Sequence, residues 1–414
     1  MSIDEALLDA IRLDPSHWET WLVFADYLSE QGDARADLIR SGHRLALGPL
    51  PAGERDRLRS VIAELRRVHE PGWREGLKVP PNVTLRWRHG FVVGLTARGS
   101  AETALDFLRR LLPLPVALPF GALVLQHAWP AQAIAALATL DGIERLVSLD
   151  LAWTELGDAG VEALVEGHWT QLRELSLAVN GITAVGARHL QRGRFGALRG
   201  LDLHGNPLGP EGIGGIGGAA LGPRLRSLDV AETKLGDSGV VELADAPAFR
   251  SIERLYLRSN RFGRGGAAAL AKLTRLTRLN LASNPLGPGG GAVLAAAPWS
   301  TLESLSLFDN RLGDEGAVAL GRTARWPALA TLQLAKNDLG DVGARALART
   351  HLPLRSLSLW ANRIEGPGAR ALLDSSALDD LVSLDLRDNA IAPEDVEGLR
   401  RAQARRDRQF RLEL

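Results

Sequence analysis

Gly236-Asp237-Ser238-Gly239 has the composition of a serine-nucleophile motif, and Gly212, Gly214 and Gly217 satisfy the G-x-G-x-x-G spacing of a dinucleotide-binding turn. The first would imply covalent catalysis at Ser238, the second a pyrophosphate held on backbone N–H groups. Neither has the partners its chemistry requires. A nucleophilic serine is defined by a base and an acid placed around it, and the same register holds GDAG (157–160), GDEG (313–316) and GDVG (340–343), so the tetrapeptide reads as a helix start. The glycine triplet lacks the long helix and distal acid of a βαβ unit and reads as a degenerate helix, down to a short 3₁₀ turn. There is no cysteine, the nine histidines are scattered, and no P-loop or H-E-x-x-H stretch occurs. The expectation is a chain with no catalytic residues, no metal and no cofactor.

Side chains suited to binding form a more ordered set. Acids stand at Asp150, Asp202, Asp229 and Glu232, arginines at Arg254, Arg258 and Arg278, and aromatics at Trp153, Tyr256, Phe308 and Trp360. His204, Asp309, Lys336 and Arg387 sit beside them. Trp, Tyr and Arg dominate interface energetics because they bury a large area and keep a polar contact. All of these residues fall in the variable places of one phrase.

That phrase is L-x-x-L-x-L-x-x-N-x-L, and it occurs ten times between residues 146 and 391. Its first positions are Leu146, Leu172, Leu198, Leu225, Ile252, Leu276, Leu302, Leu329, Leu354 and Leu381, in steps of 24 to 27 residues. In LESLSLFDNRL (302–312) the leucines alternate as in a short strand with its apolar side inward. The asparagine slot holds Asn180, Asn206, Asn260, Asn284, Asn310, Asn337, Asn362 and Asn389, with Thr154 and Thr233 in two copies. An amide there can accept from and donate to turn backbone inside a stack. The second half of each copy, as in LGDEGAVAL (312–320), reads as a helix in which Asp158, Asp237, Asp314 and Asp341 are placed to cap their own helix, with Pro210, Pro288 and Pro393 at the same place elsewhere.

The period and the LGDxGAxAL half resemble the ribonuclease-inhibitor class of leucine-rich repeats over roughly residues 118–399. That class also includes Ran GTPase-activating proteins and sensor domains of nucleotide-binding immune receptors. The resemblance implies an α/β fold, a right-handed βα solenoid bent into a horseshoe, with a parallel sheet on the concave face and helices on the convex face. Strands stack at about 4.8 Å and helices at about 8–10 Å, which bends such an array. The variable positions named above would then line the concave face.

The ends of the chain read differently. Residues 1–75 carry helical periodicity: Glu5 to Leu13, a second helix capped by Ser16 and closed at Gly32, a third from about Asp33 to Leu47, and a fourth from Gly53 to His69, stopped before Pro71-Gly72. DPSHWETWLVFADYLSEQGD (14–33) has the look of a single tetratricopeptide-type hairpin. EALLDAI and FADYLSEQGDARADLIR more closely resemble the small helical domain that accompanies repeat arrays in certain bacterial proteins. Phe24, Ala25, Asp26, Tyr27, Leu28, Gly32, Asp33, Ile39 and Arg40 carry that likeness, which implies an accessory or capping role. The expected organisation is an all-α N-terminal domain (1–75), a transitional βα unit (76–117), one degenerate and ten clear repeats (118–399), and an arginine-rich C-terminal capping helix or tail (400–414).

Bulk properties narrow the partner class. The 49 basic side chains balance 49 acidic ones, which disfavours a general nucleic-acid or anionic-membrane binder. The start lacks a basic region ahead of its apolar residues, and no run of 18 apolar residues occurs. The expectation is a cytoplasmic, bacterial, non-enzymatic scaffold binding a protein or peptide partner, with no nucleic acid and no membrane. The oligomeric state stays open. A GTPase-activating-like regulator and a self-associating array are the alternatives.

Overall fold

A computed structural model describes residues 5–51, 53–217, 221, 224–404 and 410–414. They divide into two compact units, the first made of residues up to 177 with 193–198, the second of 178–192 with 199 onward.

The first unit opens with four helices, α1 (Glu5–Leu13), α2 (Trp18–Glu30), α3 (Arg35–Ala46) and α4 (Glu54–Trp73). An antiparallel hairpin follows, β1 (Val83–Arg88) and β2 (Phe91–Arg98). Leu8, Ile11, Trp21, Phe24 and Ile39 from the helices share one core with Phe91 and Val93 of β2. Arg12 is buried, yet satisfied: its guanidinium contacts Glu5 and Asp9 at 2.6 and 2.7 Å and donates to the carbonyl of Leu118. The two residues that turn the hairpin, His89 and Gly90, both have positive φ (49° and 80°), the conformation that matches the twist of flanking strands.

Two helix boundaries depart from expectation. Ser16 does not cap α2; its N–H and hydroxyl both turn back to Asp14. The fourth helix continues through Pro71 to Trp73. His69 stacks on Trp73 one turn later (6.0 Å between ring centroids), and Arg35 lies over the same indole. Those contacts anchor the turn in which proline removes one helix hydrogen bond.

After α5 (Ala101–Leu111) the chain settles into strand–turn–helix coils: β3 (Ala122–Gln126), α6 (Ala131–Ala138), β4 (Ser148–Asp150), α7 (Gly157–Leu164) and β5 (Glu174–Ser176), with β2 to β5 parallel. The second unit repeats the pattern with α8 (Ala184–Leu190), β6 (Gly200–Asp202), α9 (Gly209–Ile216), β7 (Ser227–Asp229), α10 (Gly236–Asp245), β8 (Arg254–Tyr256) and α11 (Arg264–Ala269). It continues with β9 (Arg278–Asn280), α12 (Gly287–Ala295), β10 (Ser304–Ser306), α13 (Gly313–Thr323), β11 (Thr331–Gln333), α14 (Asp341–Leu347), β12 (Ser356–Ser358), α15 (Gly366–Leu373), β13 (Ser383–Asp385), α16 (Pro393–Gln403) and β14 (Arg411–Glu413). Strands β6 to β14 pair in sequence order, all parallel. Leu201, Leu228, Leu255, Leu279, Leu305, Leu332, Leu357 and Leu384 form one buried row, each opposite the next. Gly212 and Gly214 of the glycine triplet lie in α9, a regular α-helix rather than a 3₁₀ turn, and Gly217 is its C-cap.

The expected C-terminal helix stops at Gln403. Arg411–Glu413 pairs with β13 instead, placing Leu412 opposite Leu384, so the last strand of the array gains a partner for its backbone. Arg405, Arg406 and Arg408 lie outside the described residues.

The asparagines bond across repeats. The side-chain oxygen of Asn337 accepts from the N–H groups of Asn310 and Leu312 in the preceding repeat, and its Nδ2 donates to Leu307 and Ala335 carbonyls. Asn206, Asn260, Asn362 and Asn389 accept in the same way from the repeat before them. Where proline follows the asparagine the pattern changes: the Leu208 and Leu286 N–H groups turn to the carbonyls of Asn206 and Asn284, across Pro207 and Pro285, and the buried Oδ1 of Asn310 is left without a hydrogen bond.

The repeat aspartates serve a helix other than the expected one. Asp237 Oδ1 accepts from Gly263 and Gly266, and Asp314 Oδ1 accepts from Gly340 and Gly343, all at 2.8 Å. Asp341 Oδ1 accepts from Glu365. Each therefore caps the helix of the following repeat, because neighbouring helix starts are closer to it than its own free N–H groups. The arrangement explains Gly343: a Cβ there would come within 2.7 Å of Asp314 Oδ1. Replacing Asp314 by Ala is expected to lower stability by about 1–2 kcal/mol, and by Asn much less, as read from denaturant unfolding midpoints. Equal losses for both variants would argue against the cap.

Candidate interaction face

Alternation along each strand sends the variable residues to the side of the sheet away from the leucines. Asp150 and Trp153 belong to the first unit, and the remaining candidates to the second. Trp153 is 69 % exposed and adopts a left-handed φ of 62°, unusual for a bulky side chain. Glu232, Asp309, Lys336 and Asp388 hold the same backbone place and conformation in later repeats, with φ between 53° and 57°. The residue before the asparagine is thus set by the turn and presented outward.

The aspartates have a structural task that spacing alone did not disclose. Asp150, Asp202, Asp229 and Asp385 each accept from the backbone N–H two residues on, at 2.9 to 3.1 Å, and Asn280 does the same. One carboxylate oxygen of each therefore shapes the turn. Asp229 carries a further load. Burial pushes its pKa above the ordinary value, and the neighbouring charges of Asp202 and Glu232 add to that against the Ala231 N–H and His204.

The arginines divide into tied and untied. Arg387 bonds to both oxygens of Asp385 and reaches Glu413 at 2.9 Å, which fixes it as part of the closing strands. Arg258 reaches Glu232 only at 3.9 Å. Arg254 and Arg278 stand directly opposite one another on β8 and β9, both exposed, and neither guanidinium has an ion-pair or hydrogen-bond partner among the described residues.

Two aromatics gather into one platform. Phe308 and Trp360 come from repeats two apart, yet their rings lie 6.1 Å apart and nearly parallel at 11°. Lys336, from the repeat between, places its ammonium 5.6 and 5.0 Å from the two centroids. Trp360 Nε1 donates to Asp388 at 2.7 Å, a partner the sequence reading did not single out although it lies in the equivalent turn one repeat later. Tyr256, the last residue of β8, is half-buried with Arg254 two residues before it and Arg258 two residues after, and Asp309 is exposed beside Phe308. Half-buried aromatic surface, a cation and an indole fixed by hydrogen bonding give a preorganised place for an apolar or aromatic group.

Among the described residues no cluster of histidine and carboxylate side chains is suited to a metal ion, and no helix is long and apolar enough to cross a membrane. The family description Leucine Rich repeat matches residues 146–165, 224–244, 272–295, 300–321, 329–348 and 380–399. Each stretch covers a strand, its turn and all or most of its helix. Ribonuclease inhibitor from Sus scrofa is 31 % identical over 251 residues, 56 % of this chain and 55 % of that protein. The matched stretches are leucine-rich repeats, and the chain is similar to ribonuclease inhibitor. It spans about half the length of the curated relative it matches. Among solved structures, an internalin from Listeria monocytogenes aligns with a TM-score of 0.50 at 18 % identity, covering 83 % of this chain and 93 % of its own. A chain of the yeast Rad7 and Elc1 complex gives 0.51 at 15 % identity over 89 % and 92 %. At these identities the leucine-rich repeat fold is what the structures share.

Proposed function

We infer that this chain is a non-enzymatic scaffold that binds a protein or peptide on the solvent face of its strands. The observation that carries the reading is the Phe308–Lys336–Trp360 platform, three side chains from three repeats converging on one exposed spot. Core packing does not require them there. Fold-level likeness points the same way: the Sus scrofa relative is named as an inhibitor of ribonuclease, a protein ligand. Arg258 and Tyr256 extend the surface toward β8, and Asp202, Asp229 and Glu232 orient an approaching partner by charge.

Affinity purification from the native cell with mass spectrometry identifies the partner. The double variant Arg258→Ala, Trp360→Ala is expected to weaken its capture at least about tenfold, while the unfolding midpoint moves by only a few degrees. Undiminished capture would remove this face as the binding surface.

A further inference from the structure

Charge is laid out across the strands of the second unit in a definite order. Strands β6 and β7 present Asp202 and Asp229, opposite one another in register, with Glu232 in the adjoining turn. The next two present Arg254 and Arg278, again opposite, with Arg258 two residues past the end of β8. From β10 to β12 the same row holds Ser304, Thr331 and Ser356, and the platform of Phe308 and Trp360 stands at the end of those strands.

Two like charges facing each other at strand spacing, about 4.8 Å, destabilise a sheet. The serine and threonine positions that follow in that row carry no charge. The repulsion between Arg254 and Arg278 has no internal remedy, since neither meets a carboxylate among the described residues. A carboxylate supplied from outside would relieve it. A nucleic acid would do so poorly, because its next phosphates would meet Asp229 and Glu232 one strand away.

We propose that this face takes an extended peptide segment whose acidic residues sit over Arg254 and Arg278, with a basic residue on the side of Asp229 and Glu232 and an apolar or aromatic residue against Phe308. The proposal rests on the reading of this face as a binding surface and specifies the partner's chemistry. From β7 to β12 is five strand steps, about 24 Å, the span of about seven extended residues. A cation over Asp229 would also meet a carboxylate whose ionisation burial opposes, so the partner's base and the protein's acid stabilise one another.

The test is selection of random twelve-residue peptides displayed on phage against the full chain. Selected sequences should share an acidic pair flanked by a base on one side and an apolar or aromatic residue on the other, in either chain direction. The variant Arg254→Glu, Arg278→Glu should lose that consensus and select basic residues at its centre. A second variant, Arg254→Ser, Arg278→Ser, carries the residue found further along the row and should unfold as the parent does, while binding the synthetic consensus peptide at least about tenfold more weakly. Three results would overturn the proposal: no enriched peptide, a consensus without acids, or the same consensus from parent and charge-reversed protein. Peptides indifferent to both arginines yet lost with Trp360→Ala would overturn the acidic assignment and leave the face a binding surface. Peptides indifferent to Trp360 as well would count against both.

Discussion

Replacing Asn337 by Ala is expected to destabilise the second unit by about 3–4 kcal/mol, far more than loss of one amide contact would. Asn337 is fully buried and satisfies four backbone groups at once, two N–H donors of the preceding repeat and the carbonyls of Leu307 and Ala335. An alanine leaves three of them enclosed without partners, since the Ala335 carbonyl keeps the N–H of Asp309, at about 1–3 kcal/mol each before relaxation and entering water offset part of it. Asn389 gives the control. It makes the same kind of bonds, but it is only half-buried near the end of the array, so water can replace it and Asn389→Ala should cost about 1 kcal/mol. Denaturant unfolding of the two variants side by side decides the matter, and equal losses would refute the accounting.

The second large effect concerns acid. His89 sits in the hairpin turn between β1 and β2 with its ring against Trp18 and Trp21, at centroid distances of 4.9 and 4.8 Å. Its Nε2 is enclosed without a hydrogen-bond partner. Burial, and then the nearby positive charges of Arg88 and Arg66, push its pKa down to about 3. In the unfolded chain an imidazole titrates near 6.5, so the unfolded state binds the proton more readily. The stability His89 contributes is therefore whole above about pH 6.5 and is lost as pH falls toward 3, at about 1.4 kcal/mol per unit. Between pH 6.5 and 5 the parent should lose up to about 2 kcal/mol from this group. His89→Asn removes the titration and suits the left-handed turn, with Gly90 following it. Stability curves of parent and variant should diverge below pH 6.5, and parallel curves would show that His89 titrates normally.

The array was legible in the residues because burial and turn closure each demand one residue type at one place. Leucine at the strand positions and asparagine at the turn follow from that, and β4 to β13 lie where the phrase places them. What was not legible depends on distances between repeats. Asp314 looks like a cap for its own helix, and only the spacing of neighbouring helices assigns it to the next. Pro71 looks like a stop, and only the contacts of Trp73 carry the helix past it. The candidate face was legible as a set of outward positions. Which members are engaged was not: Arg387 is held by Asp385 and Glu413, whereas Arg254 and Arg278 face each other unpaired. Nor was the convergence of Phe308 and Trp360 across an intervening repeat, which needs the stacked geometry.

The crossed hydrogen bonds give the array a grammar of exchange. Asp314 closes a helix of its successor, while Asn337 of that successor closes a turn of its predecessor. Asp237 with Asn260, and Asp341 with Asn362, do the same at their own boundaries. Every such boundary is thus signed from both sides, and a repeat lifted out whole leaves one helix and one turn open on its former neighbours. Chimeras joined within a strand–helix coil, keeping each aspartate with the glycine it meets and each asparagine with the turn it fills, should fold where cuts at the coil borders fail.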